Sequence, residues 1–217
     1  MKFAMSYSCG KDSTLALHKM QEEGHKPVCL VVMVNEAAGR SYFHGADYTM
    51  LERYSEALAL PIITCPAEGS TYQSAFEAGL REAKIMGAEV VCFGDIDIEQ
   101  NRQWEEDRCK AVGLIPYFPL WQRGREEIVY ELIRLGYKCL IKSVNRTILP
   151  MDILGTYIDE TSISVMKSVG IDICGENGEY HTLAVDGPIF QQPLLLQIGD
   201  KIELGDYAVA DISYGHI

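Results

Sequence analysis

Three short stretches of this 217-residue chain concentrate side chains that can do chemistry. The first is Ser8-Cys9-Gly10-Lys11-Asp12-Ser13, which directly follows an apolar stretch and opens a helical pattern. A helix start presents backbone N–H groups without intrahelical partners and a partial positive charge, so such a junction can hold a phosphate. Gly10 lets the backbone approach an anion closely, Lys11 adds a full charge, and the Ser8 and Ser13 hydroxyls can donate to oxygens. The spacing is not that of a Walker A loop, because no glycine stands five residues before Gly10 and Asp12 follows the lysine. The plainer alternative is a Ser/Asp helix cap with an incidental lysine.

The second stretch is Gly94-Asp95-Ile96 at the end of an apolar strand pattern. In open α/β sheets ligands sit beyond the carboxyl ends of the strands, where strand order reverses, so Asp95 is expected to face the phosphate loop. A carboxylate there can hold Mg²⁺ or orient a substrate amine, unless it merely caps the next helix. The third stretch is Cys174-Gly-Glu-Asn-Gly-Glu-Tyr-His-Thr182, followed by Asp186-Gly-Pro-Ile-Phe190. Glu176 and Glu179, three apart among glycines, make a poor core sequence, whereas paired carboxylates can bind a cation or handle protons. A solvated turn is the alternative.

Alternating elements must position these groups. Strands are expected at Lys2–Ser8, Val28–Val34, Pro61–Cys65, Glu89–Phe93 and Ile115–Phe118, with helices at Asp12–Glu23, Tyr48–Leu58, Tyr72–Met86 and Gln100–Val112 between them. The β-branched run at Val28–Val34 is of the kind that a strand buried on both faces needs. Such alternation implies right-handed crossovers and an α/β fold, a doubly wound five-stranded parallel sheet of Rossmann-like type. The pattern loosens after Trp121, where a helix at Glu126–Leu135, a strand at Lys138–Ser143, a helix at Glu160–Val169 and a β-rich last 40 residues suggest a smaller α+β domain. The expected division is residues 1–122 for the phosphate-binding α/β sheet and residues 123–217 for the smaller α+β domain.

Composition bounds the partners. With 47% apolar and 23% charged residues the chain can bury a real core, and its formal charge is −12. No Lys/Arg run offsets the 31 acidic residues, which disfavours nucleic acid, whose recognition rests on phosphate contacts. The seven cysteines are scattered with no C-x-x-C pair, so neither a zinc site nor a disulfide framework is expected; they read as small core residues. The start MKFAMSYSCG does not read as a secretory signal and no apolar run is long enough for a membrane span, so a cytoplasmic protein is expected. The apolar stretch Pro193–Ile198 reads as core, with a homodimer interface as the alternative.

The loop S-x-G-K-D-S resembles the pyrophosphate-binding loop of the N-type ATP pyrophosphatases, the PP-loop branch of the adenine nucleotide alpha hydrolase-like proteins. Cys9 stands where that family carries its first glycine, as a tolerated small residue or as a reactive thiol at a helix start. Together with the Ser41–His44 segment, FGDI at the fourth strand, Arg102, Glu106, Cys109, Gly113-Leu114, Pro119-Leu120-Trp121 and the GE-x-GEY and DGP segments, the loop makes nearly the whole chain resemble the diphthine–ammonia ligase family. The resemblance implies an enzyme, a carbon–nitrogen ligase: ATP binds at Ser8–Ser13, a carboxylate is adenylated with release of pyrophosphate, and ammonia displaces AMP to leave an amide. It implies nucleotide contacts from Ser8, Cys9, Gly10, Lys11, Asp12, Ser13 and Gly94, catalytic roles for Lys11, Asp12, Asp95, Glu176 and Glu179, and Mg²⁺ on Asp12 and Asp95. Substrate contacts would come from His44, Arg102, Glu176, Glu179, Tyr180 and His181. Where the eukaryotic and archaeal sequences tend to carry a glutamate this chain has His181, as in the bacterial-type branch, so the reaction type transfers better than the substrate. Two other functions compete: a tRNA-modifying PP-loop enzyme, and a non-catalytic adenine-nucleotide sensor.

Overall fold

The apolar, β-branched runs become parallel strands and the periodic runs between them become their crossover helices. The computed structural model describes residues 1–42 and 44–214; Phe43, inside the Ser41–His44 segment, and residues 215–217 lie outside the described residues. The chain forms two units, Met1–Arg123 and Gly124–Ile217.

The first unit runs β1 (Lys2–Ser6), α1 (Lys11–Glu22), β2 (Lys26–Asn35), β3 (Arg40–Ser41), α2 (Tyr48–Leu58), β4 (Ile62–Ala67), α3 (Tyr72–Ile85), β5 (Val90–Cys92), α4 (Glu99–Val112) and β6 (Ile115–Tyr117). Its parallel strands lie in the order β4-β2-β1-β5-β6. This is the doubly wound α/β sheet the alternation implies. Strand order reverses between β1 and β5, so the ends of those two strands form the natural ligand crevice. Alternation along the strands divides the core between two faces. Ala4, Cys29, Val31, Ile63 and Val91 pack with Phe76, Leu80, Cys109 and Val112 of α3 and α4. Burying one side chain such as Phe76 contributes about 1.5–3 kcal/mol, so this layer fixes α4 firmly on the sheet.

One element has no counterpart in the sequence pattern. β2 outruns β1: it pairs with β1 as far as Val31, while β4 follows its other edge to Asn35. The short β3 takes Val34 and Asn35 in antiparallel pairing, on the edge that β1 has left. The chain therefore folds back over the carboxyl end of β1, and Asp47 then starts α2 by accepting from the Met50 amide at 2.8 Å.

The second unit runs α5 (Arg125–Arg134), β7 (Lys138–Asn145), α6 (Glu160–Ser168), β8 (Tyr180–Asp186), β9 (Leu196–Leu204) and β10 (Tyr207–Tyr214). Its antiparallel sheet has the order β8-β7-β10-β9. The reading of Pro193–Ile198 as core is corrected here. Leu194 is buried, but Leu195 and Ile198 are 55% and 43% exposed at the start of β9, the edge strand, which among the described residues pairs with β10 alone. Among the described residues, no helix is long and apolar enough to cross a membrane.

Candidate nucleotide site and acidic turn

The loop between β1 and α1 turns its carbonyls into the protein. Gly10 O accepts from Ser13 Oγ at 3.1 Å, from Thr14 Oγ1 at 2.8 Å and from the Thr14 amide at 3.2 Å. Cys9 O accepts from the Tyr54 hydroxyl of α2 at 3.4 Å. Tyr54 is fully buried, meets Tyr7 edge-on, and Tyr7 in turn lies 3.0 Å from Thr14 Oγ1. The hydroxyls of Ser8 and Ser13 lie 3.0 Å apart and close the loop on itself. The N-cap of α1 is Gly10, which offers no side chain to its first-turn amides, so the plain Ser/Asp cap is not what the loop forms. A helix start of that kind can receive an anion. Lys11 is 5% exposed, and its ammonium lies 2.6 Å from the Asp12 carboxylate.

Cys9 has φ +69, the left-handed region that glycine adopts without cost. The family's glycine therefore has a backbone reason, and this chain meets the same geometry with a small side chain. The thiol is buried, and burial pushes its pKa well above the ordinary thiol range. Cys9 is thus a packing residue, not a reactive thiol.

Gly94 brings β5 against this loop. An added Cβ would lie 2.8 Å from the Ser13 amide nitrogen and 2.9 Å from the Asp12 carbonyl carbon. The strand end and the first turn of α1 are therefore in direct backbone contact, and Asp95 follows within the electrostatic reach of Asp12. Asp95 does not cap α4, whose N-cap is Ile98. Its Oδ1 instead accepts from Asn101 Nδ2 at 3.1 Å, and its carboxylate also accepts from the Glu105 carboxyl. Burial first, and the nearby Asp12 charge after it, raise the Asp95 pKa despite those two bonds. Burial, with Asp95 beside it, pushes Glu105 up to about 11, so Glu105 keeps its proton.

Two further residues of the expected site belong to the first unit. His44 lies over the phosphate loop: a Cβ on Gly10 would meet its Cε1 at 2.3 Å. The fold-back at β3 puts it there. Arg102 donates from Nε to Glu106 at 2.8 Å and stacks its guanidinium 4.7 Å from the Trp121 ring centre and 5.5 Å from that of Phe118.

In the second unit, Gly175 and Gly178 have φ +76 and +82 and shape the turn before β8. Glu179 is 4% exposed, and its two oxygens accept from the Asn177 amide and side chain, each at 2.9 Å. Tyr180 is buried, its hydroxyl donates to Ile173 O at 2.6 Å, and its ring fills the space beside Gly175. Glu176 and His181 are half-buried, with His181 across from Ser143 of β7. Arg125 braces the approach to the turn through Asp172 at 2.5 Å. The structure thus groups Glu176, Glu179, Tyr180 and His181 on one turn and strand. It groups Ser8–Ser13, His44, Gly94 and Asp95 around the end of β1 and β5, with Arg102 one turn into α4.

Sequence reasoning missed Tyr54, Thr14, Asn101 and Glu105. Only the last two carried a usable signal: they sit one turn apart on the α4 face that continues to buried Cys109 and Val112.

The family model for the diphthamide synthase N-terminal domain matches residues 1–116, and that for the diphthamide synthase C-terminal domain matches residues 124–214. The diphthine–ammonia ligase of Mus musculus is 27% identical over 246 residues, covering 99% of this chain and 90% of its own. That of Homo sapiens is 26% identical over 239 residues with the same coverage, 99% and 90%. A solved structure from Methanocaldococcus jannaschii, described as "predicted subunit of tRNA methyltransferase", is similar over 89% of this chain and 100% of its own, with 12% identity and a TM-score of 0.46. With both halves matched in order, this chain belongs to the diphthamide synthase family and is an enzyme of the carbon–nitrogen ligase kind.

Proposed function

We propose that this chain uses ATP to adenylate a substrate carboxylate and then amidates it with ammonia, as the name diphthine–ammonia ligase implies for its relatives. In the first step a carboxylate oxygen attacks the α-phosphorus, the bond to the β-phosphate oxygen breaks, and pyrophosphate leaves. In the second, ammonia attacks the acyl carbon, loses a proton, and expels AMP. The observation that carries this reading is the Ser8–Ser13 loop, whose carbonyls are tied inward at a helix start. Its amides and Lys11 would stabilise the charge on the leaving pyrophosphate. Most of the rate would come from positioning and electrostatics rather than from covalent chemistry.

Asp12 and Asp95, oxygen donors close enough to feel one another, suit a hard cation such as Mg²⁺. When bound there, the ion would add positive charge beside the phosphates. Glu176, Glu179 and His181 would bind the cationic partner, ammonium or an amine-bearing substrate, while Tyr180 shapes that turn. His44 and Arg102 would meet the remainder of the nucleotide or substrate. The charge of −12 and the absence of a Lys/Arg run favour this reading over a tRNA-modifying one.

The test is pyrophosphate release from ATP with ammonium and a panel of carboxylic acids, wild type against Lys11→Ala. Acid-dependent pyrophosphate and AMP should appear and fall by at least about 100-fold in the variant, the size expected for one preorganised charge at a transition state. ATP binding without turnover on any acid would turn the reading toward a sensor, and no ATP binding would end it.

A further inference from the structure

Arg102 stands where local stability disfavours it. It closes the first turn of α4, whose start carries a partial positive charge. Its ionic partner Glu106 lies four residues later, the weaker of the two orders for such a pair on a helix. A residue placed against its local preference is expected to serve something other than the helix.

Two aromatic rings hold it in place. The guanidinium lies over Trp121 and Phe118, and Phe118 is itself stacked on the core residue Phe93, ring centres 5.2 Å apart. Trp121 is carried by a strained turn: the adjoining Gln122 has φ +58, and its amide donates to Ile96 O at 2.6 Å. That bond ties the turn after β6 to the loop after β5, which carries Asp95. The Trp121 Nε1 is shut off from solvent and has no acceptor among the described residues. A buried N–H left unmatched costs stability, so the ring is not placed for its own hydrogen bond; it is a platform for Arg102. The rings fix the plane of the guanidinium, and the 2.8 Å bond from Nε to Glu106 fixes its rotation within that plane. Its Nη1 and Nη2 make no hydrogen bond or ion pair among the described residues, and the side chain is 34% exposed. A charged, immobilised fork of donors is thus open to solvent at the carboxyl end of the sheet, in a chain of formal charge −12. Its complement is a planar carboxylate.

We propose that Arg102, held on Trp121 and Phe118 and aligned by Glu106, is the site that recognises the carboxylate of the acid to be activated. This rests on the adenylating function proposed above and assigns one end of its substrate. The phosphates of the nucleotide have the amides and lysine of the Ser8–Ser13 loop, so a separate flat fork serves a different anion. Held through one oxygen, the acid keeps the other for attack on the α-phosphorus. Trp121 and Glu106 are positioning residues that act through Arg102.

The experiment reads carboxylate binding without turnover. Trp104 and Trp121 are the two tryptophans of the chain, so in W104F the indole emission reports the Arg102 platform alone. Propionate is titrated at constant ionic strength, with propionamide as the neutral control and inorganic phosphate as the competing anion. Saturation by propionate is expected with a Kd of about 1–50 mM, weakened at least about tenfold in R102M and about fivefold in R102K, which keeps the charge and loses the fork. Phosphate and propionamide should both bind more weakly than propionate. No saturation by propionate, or equal titration of R102M, overturns the proposal. So does phosphate bound as tightly as propionate, because the fork would then serve the nucleotide. Calorimetric titration of wild type against R102M decides the same question should W104F not fold. In pyrophosphate release on an accepted acid, R102M should raise the KM for the acid at least about tenfold with the ATP KM within about threefold, and a rise confined to ATP overturns the assignment. A wild type that binds propionate yet releases no pyrophosphate with any acid ends the adenylating reading and leaves the carboxylate site standing.

Discussion

Replacing Gly94 by alanine tests the backbone contact between the end of β5 and the first turn of α1. The new Cβ would sit 2.8, 2.9 and 3.0 Å from the Ser13 amide nitrogen, the Asp12 carbonyl carbon and the Ser13 Cα. All three are backbone atoms, so no side chain can swing away. Relief requires the first turn of α1 and the end of β5 to part by about half an ångström, in an interior that does not deform freely. Overpacking of this kind costs about 1–3 kcal/mol, which for a chain of this size lowers Tm by about 2–12 °C. The same displacement moves Lys11 and the loop amides, so ATP affinity should weaken by about tenfold, or about 1.4 kcal/mol. Thermal unfolding and calorimetric titration with ATP read both effects. A G94A protein with Tm within about 1 °C of wild type and an unchanged ATP Kd would refute the close approach of β5 to the loop.

Other predictions follow from the same geometry. Cys9→Gly should stay within about 1 kcal/mol of wild type, because relief of the left-handed backbone offsets the lost burial, and should keep ATP binding. Cys9→Val should lose about 2 kcal/mol or more, since a β-branched residue fits φ +69 poorly; equal melting of the two variants would contradict this. Tyr54→Phe removes the hydroxyl bonded to Cys9 O, and should cost about 0.5–1.5 kcal/mol by urea unfolding while weakening ATP binding. Glu105 holds its proton up to about 11 in the folded protein against an ordinary 4.5, so its stabilising contribution is complete below that ordinary value and is lost as pH rises toward 11. Between about pH 5 and about pH 9 wild type should therefore lose more stability than E105Q, and parallel pH profiles would show that the proton is not held this way.

The phosphate loop was legible because its signal is local: six residues at a strand–helix junction specify their own geometry. Asp95 needed one step more, the strand-order rule, which the parallel pattern supplied. β3 was illegible, since two residues show no periodicity and their pairing depends on β2 being longer than β1. Glu105 left one signal, its spacing to Cys109 and Val112, which is easily passed over in a helix that also carries Glu99, Glu106 and Asp107. Pro193–Ile198 misled for the opposite reason: hydropathy marks a residue as apolar, but only the sheet order shows that β9, among the described residues, has no neighbour on its outer edge. The acidic turn was visible as composition. That Glu179 shapes the turn through Asn177 was not, because such bonds depend on the left-handed glycines on either side.

The outer edge of β9 bears on behaviour at high concentration. Two residues of β9, Gly199 and Asp200, stand against one of β10, so Leu196 and Ile198 face the side of Ala210 while Ile202 and Leu204 face the other. An open edge of this make-up is a template for fibrillar association. The bulge at Gly199–Asp200, however, breaks the regular face of that edge, and bulges are one means by which open edges are blunted. One extra residue in the middle of the strand thus works against the pairing that its open edge invites.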